Sequence, residues 1–300
     1  NEEYDDDDEV KEINYNKIKR IWSLSESGRR EIVDLANHYA IFRDLFPSPQ
    51  LPACKNPLEP TSATTFFFSN YVHINSEFCI PNSQIELGEE FFINEEKGAQ
   101  KDDEIISMPV YRGNIVMPKY SVNAPNVFID ASAINGIDTY SHDDGNFVDD
   151  NLQSIYDEKQ FGGVKLLGDN EKFFTLALLN LDSVLGSGSP TCHWLVGNIH
   201  NDMNNITKYE NVIDYLPVYG VKGFGYHRYV FLLLQYESPI QFDKISDFDI
   251  SKRHFNPYDF IKDHQDKVNI KPVGMSWFQS KWDFSCQKVF WEKLSKNLFN

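Results

Sequence analysis

The chain has 300 residues and a formal net charge of −17 at pH 7. An acidic balance of this size argues against a protein whose main task is to neutralise phosphates along a nucleic acid, although it is compatible with local basic patches. Aromatic residues make up 14% of the chain, which favours β-rich packing, and no apolar run approaches the length of a membrane span.

The N-terminal part of the chain predicts an acidic tail, a helix and an extended segment. Residues 1–12 hold one lysine among eight acidic residues, so this block repels itself and is expected to be a solvated tail. Residues 14–46 predict a helix that ends before two prolines, and residues 47–75 predict an extended, surface-wrapping segment with one or two short strands. The apolar positions at helical spacing are Ile32, Leu35, Ala36, Tyr39, Phe42 and Phe46.

The middle of the chain predicts short strands and an acidic insertion. Residues 110–116 are expected to form a strand pair with a Gly-Asn turn, or one bulged strand, and residues 127–129 another strand. Residues 130–160 carry seven aspartates and one glutamate against one lysine. Because their spacing lacks the pattern of a calcium loop, they predict a solvated insertion between two core strands.

The C-terminal half predicts the core strands. Apolar runs at residues 173–179, 193–199 and 226–235 predict strands, the last of them buried on both faces. Residues 200–219 predict a loop and residues 275–279 a last strand. Helices are expected to begin at Pro257 and to span residues 282–298.

The four cysteines lie far apart and form no Cys-x-x-Cys pair. They therefore predict free, buried thiols in a reducing compartment, not a disulfide framework or a zinc site. These residues are Cys54, Cys79, Cys192 and Cys286.

Polar side chains gather at three of the predicted strand ends. Asp182 follows one strand and His193 leads another, while His227 and Arg228, with Tyr229 beside them, follow a Gly-rich loop. Two neutral histidines, an aspartate and loop N–H groups fit a small anion or a phosphate head group. The same residue types fit a two-histidine, one-carboxylate metal site. The structural alternative is that each histidine is a hydrogen-bonded core residue.

The chain lacks the common catalytic signatures. It has no Gly-x-Ser-x-Gly elbow, no Walker loop and no His-Glu-x-x-His motif. The string GVKGFG at residues 220–225 leads into a strand, whereas a phosphate cradle needs the N-terminus of a helix. We therefore predict no catalytic residue, no metal, no cofactor and no enzyme activity.

The strand-end residues resemble motifs of the phosphatidylethanolamine-binding protein (PEBP) family. Residues 225–230, GYHRYV, resemble its Gly-x-His-Arg motif, and residues 193–198, HWLVGN, resemble its His-Trp/Phe-Leu-Val-x-Asn strand. Residues 175–184 occupy the place of its Thr-Leu-x-x-x-Asp-Pro-Asp-x-Pro motif. The resemblance implies a mainly β fold with peripheral helices, an antiparallel β-sandwich with an N-terminal helical and extended arm.

The same resemblance divides the chain and identifies a pocket. Residues 1–104 would form the acidic tail, helix and wrapping segment, and residues 105–300 the PEBP-like domain with its insertion at about 130–160. By family match, the ligand-pocket residues are Asp182, His193, His227 and Tyr229. Asn180 replaces the first aspartate of the family motif and both prolines are gone, so we expect a vestigial pocket with impaired binding chemistry.

Further stretches resemble one branch of the family, found in the large subunit of mitochondrial ribosomes. They are residues 38–46, 108–114, 260–265 and 278–283. The implied function is that of a structural constituent of the mitochondrial large ribosomal subunit in the matrix. Its partners would be other large-subunit ribosomal proteins, with limited contact to ribosomal RNA and none to a membrane.

Ribosomal contacts are expected from the aromatic N-terminal segment and from the basic residues Arg29, Arg30, Lys252 and Arg253. The alternative is a soluble PEBP-type module that binds a phosphorylated small molecule or regulates an enzyme. The long wrapping extension favours the first interpretation.

Overall fold

The computed structural model describes residues 26–46, 71–82, 85, 104–131, 162–168, 171–183, 190–245, 249–264 and 266–289. The acidic tail, most of the wrapping segment, nearly all of the acidic insertion and Cys54 lie outside these ranges. The other three cysteines are free and buried, as predicted: Cys79, Cys192 and Cys286.

Two helices at the start of the described chain form an N-terminal arm. Helix α1 spans Glu26–His38 and α2 spans Ile41–Leu45, which confirms the helical pattern over this part of residues 14–46. The pattern did not predict the break between them. Ala40 has a φ of 56°, in the left-handed region, and this conformation turns the chain from α1 into α2.

Ten strands form two sheets. The first sheet has the strand order β2-β1-β4-β5, and the second has the order β3-β10-β9-β6-β7-β8. Neighbouring strands are antiparallel except for β4 with β5 and β3 with β10. The strands are β1 His73–Pro81, β2 Ile105–Val110, β3 Asn114–Ile115, β4 Asn126–Asp130, β5 Gly163–Leu167, β6 Phe173–Asn180, β7 Thr191–Asn201, β8 Thr207–Ile213, β9 Tyr226–Tyr236 and β10 Lys271–Lys281.

Short helical elements complete the architecture. Helix α3 spans Pro257–His264 and α4 spans Ser285–Lys288, and 3₁₀ turns lie at Pro118–Tyr120 and Ile250–Lys252. The fold is therefore a mainly β sandwich with peripheral helices, and the predicted fold class is confirmed. Among the described residues, no helix combines the length and apolarity needed to cross a membrane.

Strand β9 shows why the second sheet is buried on both sides. Its residues Tyr229, Phe231 and Leu233 belong to the apolar cluster between the two sheets. The intervening residues Val230 and Leu232 belong to a second cluster, which includes side chains of the N-terminal arm. Since successive side chains of a strand point to opposite faces, the continuous apolar run fills both cores, as predicted.

The arm covers the outer face of the second sheet. Ile32 and Ala36 of α1, with Phe42 and Leu45 of α2, are buried in the same cluster as Trp277 of β10. The arm is thus part of the folded body in its described portion, and it lies over the strands that carry the candidate pocket.

Strand β1 is a central strand of the first sheet. It pairs with β2 on one side and β4 on the other, and all but one of its nine residues are buried. The sandwich therefore includes a strand that lies N-terminal to the domain boundary predicted at residue 105.

Residues 110–116 form neither the expected hairpin nor one bulged strand. Strand β2 ends at Val110 in the first sheet, and β3 begins at Asn114 in the second sheet. Arg112 and Gly113, at φ values of 48° and 88°, turn the chain between the sheets. The Gly-Asn pair therefore lies in a connection between the two sheets and not in a hairpin, because β2 pairs with β1 whereas β3 pairs with β10.

Two other expectations differ from the structure. The predicted loop at 200–219 contains β8, an edge strand whose mostly polar, half-exposed residues give no apolar alternation. The closing helix, expected from residue 282, begins at Ser285, and residues 290–300 lie outside the described ranges. Strand β5 was not predicted.

Candidate ligand pocket

The ends of three strands bring the candidate residues together. In the second sheet, β6 lies between β9 and β7, and its last residue, Asn180, pairs with Tyr229 on one side and Thr191 on the other. Two residues after Thr191 comes His193, and two residues before Tyr229 comes His227. The sheet register therefore places polar side chains from three strands at one edge of the inter-sheet core.

His193 is fully buried and held in one orientation. Its Nδ1 lies 2.9 Å from the carbonyl oxygen of Leu216, and because a carbonyl only accepts, Nδ1 carries the proton. Its ring packs edge-on against Tyr229, with centroids 5.0 Å apart. Burial lowers the pKa of His193 to about 3, although the bond to Leu216 opposes that shift. The ring is therefore neutral at pH 7, and its Nε2 presents a lone pair.

His227 is also buried, and it faces Asn180. The Nδ2 of Asn180 lies 3.5 Å from Nδ1 of His227, the long limit of a hydrogen bond, and an amide nitrogen can only donate there. Burial lowers the pKa of His227, and the nearby charge of Asp182 opposes this effect. In the neutral ring, Nδ1 is then the acceptor and Nε2 carries the proton.

The hydroxyl of Tyr229 forms its hydrogen bonds within the chain. It donates to the carbonyl oxygen of Tyr219 at 2.5 Å and accepts from Nδ2 of Asn180 at 3.1 Å. Burial raises the pKa of Tyr229 well above its ordinary value, so the phenol stays protonated. Among the described residues, this hydroxyl links β9 to the loop that precedes it and so has a structural role.

Asp182 is turned toward Arg228 and not toward the histidines. Its Oδ2 accepts from the backbone N–H and Nε of Arg228, each at 2.8 Å, and its Oδ1 accepts from Nη2 at 2.6 Å. Burial alone would raise the pKa of Asp182, but the hydrogen bonds and charge of Arg228 together lower it below its usual value. The carboxylate is therefore ionised and fully engaged in a bidentate ion pair.

Arg228 also binds the N-terminal arm. Its Nη1 donates to the carbonyl oxygen of Tyr39 at 2.6 Å, and its Nη2 lies 2.7 Å from Oδ2 of Asp44. Asp44 is further paired with Arg43. We call the group formed by Arg228, Asp182, Asp44 and the Tyr39 carbonyl the arm clamp. It joins the break between α1 and α2 to the rim of the candidate pocket.

Two histidine nitrogens of the cluster are buried without a hydrogen-bond partner among the described residues, as is the hydroxyl of Thr191 beside Asn180. The Nε2 atoms of His193 and His227 are buried and have no hydrogen-bond partner among the described residues. One offers a lone pair and the other an N–H group. This combination suits a hydroxyl or a protonated phosphate oxygen better than a fully ionised phosphate, because the lone pair of His193 repels a bare anionic oxygen.

The four residues chosen from the sequence have different roles. The structure brings His193, His227 and Tyr229 into one buried cluster, whereas the carboxylate of Asp182 faces the arm. Sequence reasoning missed Tyr219, because a tyrosine in an Asn- and Tyr-rich loop gave no signal. It also missed that Asp44, within the branch-like stretch at 38–46, reaches the strand that follows the Gly-rich loop.

Two further expectations concern nearby residues. Within the described ranges, no group of three or more His, Cys, Asp and Glu side chains is placed to hold a metal ion. Arg253, expected to contact a partner, is fully buried, with Nη1 3.3 Å from the carbonyl oxygen of Cys192. Its proposed surface role is therefore wrong, because its guanidinium lies behind β7.

Comparisons with known proteins give one family match and several similar solved structures. The sequence model of the family "Phosphatidylethanolamine-binding protein" matches residues 159–270, which include all four pocket candidates. Among solved structures, an inhibitor of carboxypeptidase Y, in complex with its cognate proteinase, is 15% identical in sequence to this chain. The TM-score is 0.45, and the alignment covers 85% of this chain and 96% of the inhibitor chain. A phosphatidylethanolamine-binding protein from Plasmodium vivax is 13% identical, with a TM-score of 0.42 and coverages of 84% and 97%. Residues 159–270 are therefore similar to the phosphatidylethanolamine-binding protein family; they make up less than half of the chain and include strands β5 to β9 of the sandwich.

Proposed function

We propose that this chain is a structural PEBP-like protein of the mitochondrial large ribosomal subunit, located in the matrix. It lies at the periphery and is held mostly by other large-subunit ribosomal proteins, because a net charge of −17 opposes extensive contact with RNA. Its contact with ribosomal RNA is limited and it has no contact with a membrane. The domain carries a vestigial pocket and no enzyme activity.

The observation that carries this proposal is the arm clamp. Arg228 donates its hydrogen bonds to Asp182, Asp44 and the carbonyl oxygen of Tyr39, so its guanidinium group is held by the chain itself and not by a ligand. Both arm partners belong to the stretch at 38–46 that resembles the ribosomal branch. The charged residues at the edge of the pocket therefore hold the N-terminal arm in place, which is the role expected in a structural protein.

A second branch-like stretch meets the same arm. Arg112, within residues 108–114, forms an ion pair with Glu31 of α1 at 2.7 Å. Gly113 lies so close to Tyr39 and Trp277 that an added Cβ would approach both within about 3.1 Å. Two of the four branch-like stretches, residues 38–46 and 108–114, thus contact each other through Tyr39 and Gly113, which supports a shared structural role for these two stretches.

Sedimentation of a mitochondrial extract tests the proposal directly. We expect the tagged protein to co-migrate with the large subunit at moderate salt. The variant Arg228→Met should weaken incorporation because it releases the arm, whereas Lys172→Met, which removes an exposed ion pair, should incorporate normally. Recovery of the protein only in the soluble fraction contradicts the ribosomal assignment.

The alternative function is a soluble PEBP-type module that binds a phosphorylated small molecule or regulates an enzyme. The two open Nε2 atoms of His193 and His227 favour it, since buried polar atoms are usually paired. Calorimetry with glycerol phosphate and phosphoethanolamine should detect weak binding or none. Tight binding that is lost in His193→Ala and His227→Ala but kept in His200→Ala would establish the alternative.

Absence of catalysis is part of the proposal and has its own test. Within the described residues, the side chain of neutral His193 is hydrogen-bonded to the carbonyl oxygen of Leu216 and to no carboxylate, serine or cysteine, which supports the expectation that it activates no nucleophile. Screens with ester, phosphoester and peptide substrates should give background rates. A rate that disappears in His227→Ala would refute this part of the proposal.

A further inference from the structure

Two aromatic-rich stretches lie side by side at one end of the second sheet. The backbone of Gly220 packs against the backbone of Lys281 and Trp282. Six residues after Gly220, Tyr226 begins β9 and pairs with Lys281 in the register of β9 and β10. We call the exposed surface that these stretches form the aromatic–lysine face; it consists of Lys222, Phe224, Tyr226, Lys281, Trp282 and Phe284.

Three large aromatic side chains of this face are exposed to solvent. The exposed fractions are 62% for Phe224, 52% for Phe284 and 46% for Tyr226. Phe224 stands between Gly223 and Gly225, which both have positive φ and open space around them. The loop therefore holds an apolar ring out into solvent, and a contiguous exposed aromatic surface is typical of a binding site.

Two lysines accompany the rings. The Nζ of Lys222 lies 5.0 Å from the ring centroid of Trp282, and the Nζ of Lys281 lies 5.2 Å from that of Tyr226. Cation–π contact of this kind positions an ammonium group while leaving N–H bonds available to another partner. The one carboxylate in this segment, Asp283, is engaged by the N–H groups of Ser285 and Lys119. The face is thus locally cationic on a strongly acidic chain.

We propose that the aromatic–lysine face binds single-stranded RNA. Bases would stack on Phe224 and Phe284, and phosphates would contact Lys222 and Lys281. Exposed aromatic rings interleaved with cations are the combination that sequence-tolerant binding of single strands requires. Lysine is depleted from protein–protein interfaces, which makes RNA the better match to this surface.

The size and charge of the face limit the contact to a short segment of RNA. Two lysines contact about two phosphates, and the acidic remainder of the chain repels a longer strand. The inference rests on the proposed function only for the source of the RNA, the ribosome, because the chemistry of the face is independent of it.

Fluorescence anisotropy with the full-length protein tests the proposal. The probes are a labelled ten-nucleotide single-stranded RNA and a duplex of the same sequence. We expect the single strand to bind more tightly, with log affinity falling against log salt at a slope of about −1.4 for two phosphates. Phe224→Ala and Phe284→Ala should each weaken binding by about 5- to 150-fold. Lys222→Gln and Lys281→Gln should each reduce the slope by about 0.7.

Matched controls lie at the β8 edge of the second sheet, which is separated from β9 and β10 by β6 and β7. Met203 and Tyr209 are exposed near and on β8, and their replacement by alanine should leave RNA affinity unchanged. Absence of binding, equal losses in these controls, or displacement of the RNA by an acidic peptide of the same length would overturn the proposal. Co-sedimentation with the large subunit without RNA binding refutes this inference alone. RNA binding without co-sedimentation refutes the ribosomal assignment alone.

Discussion

Replacing Arg228 by methionine tests whether the arm clamp holds the N-terminal arm to the sandwich. Methionine keeps most of the apolar stem of arginine and removes its charge and donors. The side chain of Arg228 is 18% exposed, and its partners Asp182 and Asp44 are 32% and 24% exposed. The substitution therefore leaves two largely covered carboxylates and the carbonyl of Tyr39 without their cation.

The expected loss follows from the contacts. Removing one member of a fully buried ion pair costs about 3–5 kcal/mol, and a hydrogen bond to a charged group contributes about 1.5–3 kcal/mol. Partial solvent access screens these carboxylates, so we expect a loss of about 2–4 kcal/mol in the free energy of unfolding. The control Lys172→Met breaks an exposed pair and should cost less than about 1 kcal/mol.

Urea unfolding followed by tryptophan fluorescence measures this loss. Trp277 reports on the arm, because its ring centroid lies 6.2 Å from that of Tyr39. A double-mutant cycle of Arg228→Met with Asp44→Asn should give a coupling energy of at least about 0.5 kcal/mol. A loss for Arg228→Met no larger than that of the control, together with zero coupling to Asp44, would refute the reasoning.

The clamp also has a defined pH dependence. The pKa values of Asp182 and Asp44 lie below their ordinary value of 3.8 in the folded protein, since hydrogen bonds from arginine outweigh the effect of burial. Their stabilisation is therefore fully present above that ordinary value and is lost as the pH falls through the lowered folded pKa values. The difference in stability between the wild type and Arg228→Met should be constant from pH 5 to pH 8 and shrink below about pH 4.

Three other perturbations test separate parts of the structure. Burial lowers the pKa of His193 from an ordinary 6.5 to about 3, so below pH 6.5 the unfolded chain binds a proton that the folded chain does not. The free energy of unfolding should therefore fall by about 2 kcal/mol between pH 7 and pH 5. A free energy of unfolding in urea that does not change over this pH range would contradict a neutral, buried ring. Gly220→Ala places a Cβ against backbone atoms and should lower the free energy of unfolding by about 2–4 kcal/mol. Gly223→Ala, in open space at positive φ, should lower it by only about 1 kcal/mol. Equal melting temperatures for the two variants would count against the close packing at Gly220. Ala40→Gly relieves a left-handed alanine and should leave stability unchanged or raise it by up to about 1 kcal/mol in thermal unfolding, while a clear loss would argue against the break between α1 and α2.

Local pattern predicted the strands that bury apolar residues without interruption. The run of β9 and the shorter run of β6 fill two cores, so their burial follows from composition alone. Strand β1 was missed because its buried residues include His73, Asn75 and Ser76, which are polar and do not mark a core strand. Strand β8 was missed because an edge strand needs little apolar surface.

The candidate pocket was predictable only in part. Motif resemblance selected Asp182, His193, His227 and Tyr229, and the sheet register places three of them together. The sequence contains no signal that Asp182 would face Arg228, because that pairing depends on the register of β6 with β9, and the further contacts of Arg228 depend on how residues 39–44 of the arm dock. The hydrogen bonds that Tyr229 and His193 donate to the carbonyl oxygens of Tyr219 and Leu216 could not be predicted either, since loop backbone positions depend on tertiary packing.

The pairing of β3 with β10 sets the order in which a growing chain can fold. Gln279 pairs with Ile115, more than 160 residues earlier in the sequence, and the N–H of Gly113 donates to the carbonyl oxygen of Trp277. Until β10 leaves the translating ribosome, β3 has no partner strand and the arm lacks part of the surface that it covers. Contacts so distant in sequence slow folding. A nascent chain halted before residue 271 should therefore expose apolar strands and depend on chaperones until synthesis ends.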